Sequence, residues 1–399
     1  MEEVTVTGAG IICPIGADLG AFWNATLEGR HGFDTIDPDT GLGGGCHWAA
    51  VQDRLLRAQS LPPEFFRNAD RFTQYAVSAA AQAISMAGLD SPPVKTAVVI
   101  GNTMGGLPLF AQTERQFSIS ARHATPKLMA LVIPNMAAAR ISLIWHLKGV
   151  QLTISTACAS SLDAIGLAAR MIERGEVPCA VAGGTETLLA PVVYASLDRA
   201  GALSRSEQPE RASRPFDIRR NGFVMGEGAA VLFLESATHA RRRGAEILAR
   251  VRGYASLTDA HHLTSPEPSG RHESDVMRDA LDEARCTVGA VFAHATGTLV
   301  GDIAELRAIN SVFSDPQLPV TSLKGHLGHA MAASGAMSAI AAIQGMRHGV
   351  IPHTLGTDCV EPEAQFAVIL REPREIRYDA VLVNAFGFGS QNASIVLSR

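Results

Sequence analysis

Cys158 lies in STACASSLDAIG (155–166), between a strand-like stretch and a helical one. A thiol is a weak nucleophile until it ionises, with an unperturbed pKa of about 8.5. The start of a helix favours the thiolate, through the macrodipole and the free backbone N–H groups. The small neighbours Ala157, Ala159 and Ser160 leave room for a substrate. A lone cysteine is more often a buried small hydrophobe, so chemistry here needs partners. They are available in the second half of the chain. His294 leaves the apolar run 290–293 and opens HATGT (294–298), while Lys324, His326 and His329 stand in SLKGHLGHA (322–330). Each has an ordinary reading, a satisfied core histidine or a surface lysine, beside the functional one. His326 and His329 are spaced as a metal pair, but no third or fourth ligand is close in sequence, and no metal is expected. FGFGS (386–390) is either a tight connection with packed aromatics or a place where backbone N–H groups approach a reacting carbonyl.

The elements that must position these residues alternate between strand and helix, which favours an α/β fold with covered sheets. Strands are expected at 95–101, 151–155, 178–184, 229–234, 247–254, 290–294, 380–385 and 393–397. Helices are expected at 72–87, 162–172, 273–284, 303–313 and 329–347. The pattern restarts near residue 246, which suggests two α/β halves, 1–245 and 246–399, although no internal sequence repeat is visible. Residues 204–222 are polar, charged and Pro-containing, and read as a long exposed surface loop of the first half.

Composition narrows the class. The chain has 399 residues, 47% hydrophobic and 18% charged, enough for a large buried core rich in Ala, Gly and Val. A formal net charge of −5 argues against a general nucleic-acid binder. Met1-Glu2-Glu3 is acidic and leads straight into a strand, and no apolar run is long enough to span a bilayer. The six cysteines form no CxxC pair and no small-domain framework. A cytoplasmic protein with reduced thiols and no membrane contact is the expectation.

Taken in order, the motifs resemble those of the elongating β-ketoacyl-ACP synthases, nearly end to end. They run from VTGAGIICPIG (6–16) through TACASS around Cys158, AGGTE (182–186), SRPFDIRRNGFVMGEGAAVLFLE (213–235) and DAHHLTSP (259–266). HATGTLVGDIAE (294–305), SLKGHLGH (322–329) and FGFGSQN (386–392) close the series. The resemblance implies the thiolase fold, two related α/β halves in alternating helix and sheet layers, and a dimer. It makes Cys158 the acceptor of an acyl chain from an acyl carrier protein. His294 and His329 would assist decarboxylation of a malonyl thioester, and Lys324, paired with Glu305, would shape the electrostatics. The N–H groups of Cys158 and Phe388 would form the oxyanion hole, with Phe388 also gating the pocket between Gly387 and Gly389. Thr296, Thr298 and Thr264 match positions that hold the pantetheine arm, and Met104 falls where the family lines its acyl channel. Arg67, Arg122 and Arg205 stand near the carrier-docking positions. No cofactor is implied, since phosphopantetheine on the carrier holds the substrates.

A final His329 separates the chain from initiating synthases with a Cys/His/Asn pattern, and the cysteine-free FGFGSQN separates it from degradative thiolases. Departures from the family pattern are Ala295 for a glycine, Leu299 for a proline, Ser390 for a glycine, Ser338 for a glutamate, and a short 106–126 segment. They point to a type II polyketide or polyene pathway, with fatty-acid elongation as the alternative. Two other readings are a non-condensing chain-length-factor subunit and a Cys/His hydrolase. The catalytic set argues against the former, and the second histidine, Lys324 and the glycine loop against the latter. The dimer could be of like chains or with a chain-length-factor homologue.

Overall fold

The computed structural model describes residues 2–36, 46–57, 61–120, 122 and 125–399. In the first half, β1 (Val4–Ile12), β2 (Ala97–Gly101), β3 (Gln151–Ile154), β4 (Cys179–Glu186) and β5 (Gly228–Ser236) lie side by side in the order β3-β2-β4-β5-β1. In the second, β6 (Ala249–Thr258), β7 (Val291–Phe292), β8 (Pro319–Thr321), β9 (Ala380–Gly387) and β10 (Gln391–Ser398) lie as β8-β7-β9-β10-β6. Rank for rank this is the same order. Directions repeat too: β3, β2 and β4 run parallel, as do β8, β7 and β9, and the two remaining pairings in each half are antiparallel. Val4–Val6 pairs with Ala249–Val251 and joins the halves into one sheet.

Six helices cover these strands: α1 (Arg71–Met86), α2 (Met136–Ile144), α3 (Ser160–Glu173), α4 (Arg271–Ala284), α5 (Leu299–Val312) and α6 (Ser334–His348). The strands sort their side chains with period two. On β5, Ala230, Leu232 and Leu234 face α3 and α6, whereas Ala229, Val231 and Phe233 face α1 and α2. On β9, Val381, Val383 and Ala385 face the same central helices, whereas Ala380 and Leu382 face α4 and α5. The result is five layers, helix–sheet–helix–sheet–helix, with α3 and α6 in the middle. These are the layers of the thiolase fold.

Of the two central helices, α6 has no solvent face. α6 is buried at every residue from Ser334 to Met346, and its Ala, Gly and Ser side chains let neighbouring backbones approach. A Cβ on Gly335 would stand 2.7 Å from Leu162 Cγ, and Ser161 Oγ accepts the Ala336 N–H at 2.9 Å. The N-terminal ends of α3 and α6 therefore meet. Each is preceded by a 3-10 turn, Ala157–Ala159 and Met331–Ala333, whose first residue has a left-handed backbone (φ 49° and 43°). Non-glycine residues rarely adopt that conformation, and here it lies next to Cys158 in one turn and next to the His329 segment in the other.

Two expectations need correction. The helix expected at 329–347 begins at Ser334, so His329 stands before it, in the turn that the left-handed Gly328 (φ 66°) opens. Residues 204–222 are irregular but not an exposed surface loop. Phe216, Asp217 and Arg220 are buried, and they tie this segment to the second half. Asp217 Oδ2 accepts the N–H groups of Asp358 and Cys359, and Arg220 donates to the carbonyls of Thr298 and Leu299 and to Glu361. Polar residues drew the loop reading, but here they serve as internal bonds.

Tyr254 on β6 crosses α3 at Gly166, where a Cβ would stand 2.2 Å from the ring. Its hydroxyl donates to Asp163 (2.7 Å), which also accepts from Thr156 beside the Cys158 turn. Gly166→Ala is expected to cost about 1–3 kcal/mol by overpacking. Urea denaturation checks this, and an unchanged midpoint would mean that helix and strand can part freely.

Candidate active site

The two abutting turns bring Cys158 Sγ to 3.0 Å from His329 Nε2. His329 Nδ1 lies 3.1 Å from Ser334 Oγ, and a hydroxyl can donate or accept, so it supports either tautomer of the ring. Phe223 packs edge-on against His329, and the His294 ring stands edge-on to it with centroids 5.2 Å apart. The peptide of His294 is held from both ends. Glu305 accepts the N–H groups of His294 (2.9 Å) and Ala295 (2.6 Å), and Lys324 Nζ donates to the His294 carbonyl (3.0 Å). Lys324 and Glu305 thus act on one peptide, and their mutual attraction is Coulombic and not the direct pairing expected from the sequence.

The glycine hairpin forms the other wall. Phe386 and Gly387 end β9, and Gln391 begins β10. A Cβ on Gly387 would stand 2.7 Å from Cys158 N, so only glycine allows this approach. It directs the backbone N–H groups of Phe388 and of Cys158 itself at Sγ. Gly389 is left-handed (φ 78°), and its N–H donates to Leu263 O at 2.7 Å. Ser390, where the family has glycine, is also left-handed (φ 65°), and its hydroxyl donates to His262 O at 3.0 Å. Those bonds fasten the hairpin tip to the 259–264 loop.

Cys158, His294 and His329 line one cavity of about 360 Å³ together with Thr296, Thr298, Thr264 and Phe388. Thr296 Oγ1 and Thr298 Oγ1 are 3.1 Å apart on one wall, and Thr264 is exposed at the mouth. Phe388 is 43% exposed there, beside the exposed Leu299 and Val300. Ala295 is buried, belongs to the core cluster beside α5 and also borders the cavity. Met104 is a correction. It is 52% exposed, projects from the turn closed by Gly105 (φ 58°), and does not line this cavity. Arg67, Arg122 and Arg205 are all exposed, and Arg205 faces Asp198 at 3.5 Å.

Burial governs the electrostatics. It pushes the Cys158 thiol up to about 12, against the pull of the Lys324 charge and the Phe388 N–H. The thiolate favoured by helix position alone is therefore not the resting form, a second correction. Burial, followed by the Lys324 charge, holds His294 and His329 well below the ordinary imidazole range. Burial lowers Lys324 to about 8, opposed by Glu305, Cys158 and Asp302. A neutral thiol thus faces a neutral imidazole that can take its proton. His326 is elsewhere: its two ring nitrogens lie 3.0 Å from the carbonyls of Arg30 and His353, which removes it from any metal pair with His329. Donor atoms of Cys158, His294 and His329 fall within 4.8 Å of one another, as do those of Cys179, Glu235 and His239 away from this site. Sequence reasoning missed Ser334 and the buried Glu186, whose charge Cys158 feels. Glu186 stood in the AGGTE motif without a role.

Two family models match, Beta-ketoacyl synthase N-terminal domain over residues 1–240 and C-terminal domain over residues 248–358. The chain belongs to the β-ketoacyl synthase family. This synthase is 34% identical, over all of its length and 99% of the relative's, to 3-oxoacyl-[acyl-carrier-protein] synthase 2 of Vibrio harveyi. Its structure is similar to the ishigamide ketosynthase/chain length factor, with TM-score 0.91 and 30% identity over 100% of this chain and 99% of that one. It is also similar to AntDE in complex with AntF, described as a type II PKS acyl-carrier protein with its ketosynthase bound to the hexaketide, with TM-score 0.89 and 27% identity over the same shares. The synthase is accordingly a condensing acyltransferase of the β-ketoacyl-ACP synthase type. No described helix is long and apolar enough to cross a membrane.

The Lys324 charge lowers the Cys158 pKa, so Lys324→Met is expected to move the pH profile of iodoacetamide alkylation at Cys158 to higher pH. A profile that stays in place would mean that the lysine acts only through its bond to His294.

Proposed function

We propose that Cys158 takes an acyl chain from an acyl carrier protein and passes it to a carbanion generated from malonyl-ACP. The observation that carries this reading is the 3.0 Å approach of Cys158 Sγ to His329 Nε2 in a cavity that also holds His294 and the Cys158 and Phe388 N–H groups. Sγ attacks the acyl thioester carbonyl as its proton moves to His329. The carbonyl oxygen gains charge between the two N–H groups, and the carrier thiolate leaves with the proton returned by His329. In the second half-reaction the malonyl thioester carbonyl accepts hydrogen bonds from the neutral His294 and His329 as carbon dioxide departs. The enolate carbon then attacks the Cys158 thioester, and the sulfur leaves as the new carbon–carbon bond forms. Thr296, Thr298 and Thr264 hold the pantetheine arm along the cavity wall, Phe388 and its flanking glycines gate the mouth, and Glu305 with Lys324 fixes the His294 peptide. No cofactor enters these steps.

The pathway we propose is type II polyketide or polyene assembly in the cytoplasm. It is supported by the likeness to the ishigamide and AntDE ketosynthases and by Ala295, Leu299 and Ser390 at positions where the family pattern differs. A second reading, fatty-acid elongation, is favoured by the 34% identity to a 3-oxoacyl-ACP synthase 2. Either role needs a second subunit, a like chain or a chain-length-factor homologue. The open outer edge of β3 supports this, with Leu152 partly exposed and Phe117, Ile119 and Leu143 exposed on neighbouring segments. The same proteins argue for an acidic carrier as partner, met locally by Arg67, Arg122 and Arg205 despite the negative total charge.

The test is reconstitution with acyl-ACP and malonyl-ACP, alone and with a chain-length-factor homologue. β-Ketoacyl-ACP formed only with the homologue, and extended without reduction, supports the polyketide reading, whereas single-round condensation by the chain alone supports fatty-acid elongation. Thioester hydrolysis without condensation in both mixtures contradicts both. Separately, Arg205→Glu with Arg67→Glu is expected to weaken carrier binding in a salt-sensitive manner, and unchanged carrier affinity would remove these arginines from the docking surface.

A further inference from the structure

Glu186 ends β4 at the junction of the two central turns, fully buried, and no step above uses it. Its carboxylate is surrounded by donors. Thr103 offers its backbone N–H (3.2 Å) and its hydroxyl, Asn102 offers Nδ2 (3.3 Å), and the N–H groups of Ala332 and Thr187 point at it as well. The donors come from separate parts of the site. Ala332 is in the 3-10 turn behind His329, next to the strained Met331 that lines the cavity. Asn102 and Thr103 begin the turn that carries Met104. That turn is closed on itself, because Asn102 Oδ1 accepts the Gly105 N–H at 2.6 Å while Nδ2 donates to Thr185 O at 2.7 Å. The β4 backbone just before Glu186 is equally tight, since a Cβ on Gly184 would stand 2.7 Å from both Ala332 O and Ser161 Cβ.

We infer that Glu186 is a positioning residue, clamping the His329 turn and the 102–106 turn to the end of β4. The inference rests on Cys158 being the nucleophile, but it does not require a particular acyl substrate. A carboxylate that accepts three hydrogen bonds and faces two further backbone N–H groups cannot be replaced by an amide without turning an N–H toward another N–H. The groups that act on the Cys158 charge are few: Lys324 lowers its pKa and Glu186 raises it, with the neutral His294 and His329 beside it. Burial pushes Glu186 up to about 7, and the surrounding donors pull the other way, so above neutral pH it bears its charge.

Two variants separate the clamp from the charge. Glu186→Gln is expected to shift the Cys158 alkylation profile to lower pH and to lower kcat for acyl transfer about ten-fold, with KM within about two-fold. Thr103→Val removes one hydroxyl bond and leaves the charge, so it should lower kcat without moving the profile, and Thr103→Ser should restore kcat. Alkylation needs only the thiol, so it reads the inference even if condensation proves to be the wrong reaction. An alkylation profile for Glu186→Gln that superimposes on the wild type overturns the electrostatic role. Wild-type kcat in both Glu186→Gln and Thr103→Val overturns the clamp. Should Glu186→Gln fail to fold, the Thr103 pair decides alone: kcat lost with valine and regained with serine supports the clamp, and equal rates contradict it.

Discussion

The site depends on the close approach of two helix N-termini in the middle layer of the protein. Small residues alone permit it. Gly335 leaves room for Leu162, Ser161 bonds to the Ala336 N–H, and Gly184 lets β4 run beneath both turns. Cys158 and His329 come from parts of the chain 171 residues apart, and this packing sets the 3.0 Å between them. The strained residues Ala157 and Met331 mark the cost, since a left-handed backbone at a non-glycine residue persists only where its surroundings hold it.

The same packing sets the charge state. A site closed tightly enough to place two neutral imidazoles beside a thiol also removes water from all three; burial outweighs the Lys324 charge at Cys158 and acts together with it on both histidines. Reactivity then comes from proton transfer within the site and not from a standing thiolate. Lys324 and Glu305 are spent on holding one peptide, which aims His294 at the space in front of Cys158. The backbone N–H groups of Cys158 and Phe388 face the same space because Gly387 has no side chain. Fixed dipoles of this kind need no reorganisation when charge develops.

Much of this was legible in the sequence, and for physical reasons. Long strands such as Gly228–Ser236 announce themselves as continuous apolar runs, and α1 by its Ala-rich pattern ending at Gly88. His294, Lys324 and His329 stand in Gly-containing turns and Cys158 among small residues after a strand, where chemistry-bearing side chains stand out. The repeated strand order was not visible, because two halves can share a topology while sharing little beyond small residues at the turns. Val291–Phe292 is only two residues long, and it was legible through the apolar run 290–293 and not through any periodicity. The 204–222 segment misled because polar residues that bond across halves look like solvated ones. Met104 was placed by resemblance, and a side chain's direction depends on a turn, here the left-handed Gly105, that resemblance does not specify. Glu186 carries no pattern of its own, and only its five converging donors in the folded chain distinguish it.

Intact-protein mass spectrometry of the chain mixed with acyl-ACP tests the central claim most directly. The account predicts a single acyl adduct that maps to Cys158, is absent from Cys158→Ala, and disappears when malonyl-ACP is added. An adduct on another residue, or none with or without a partner subunit, would contradict it.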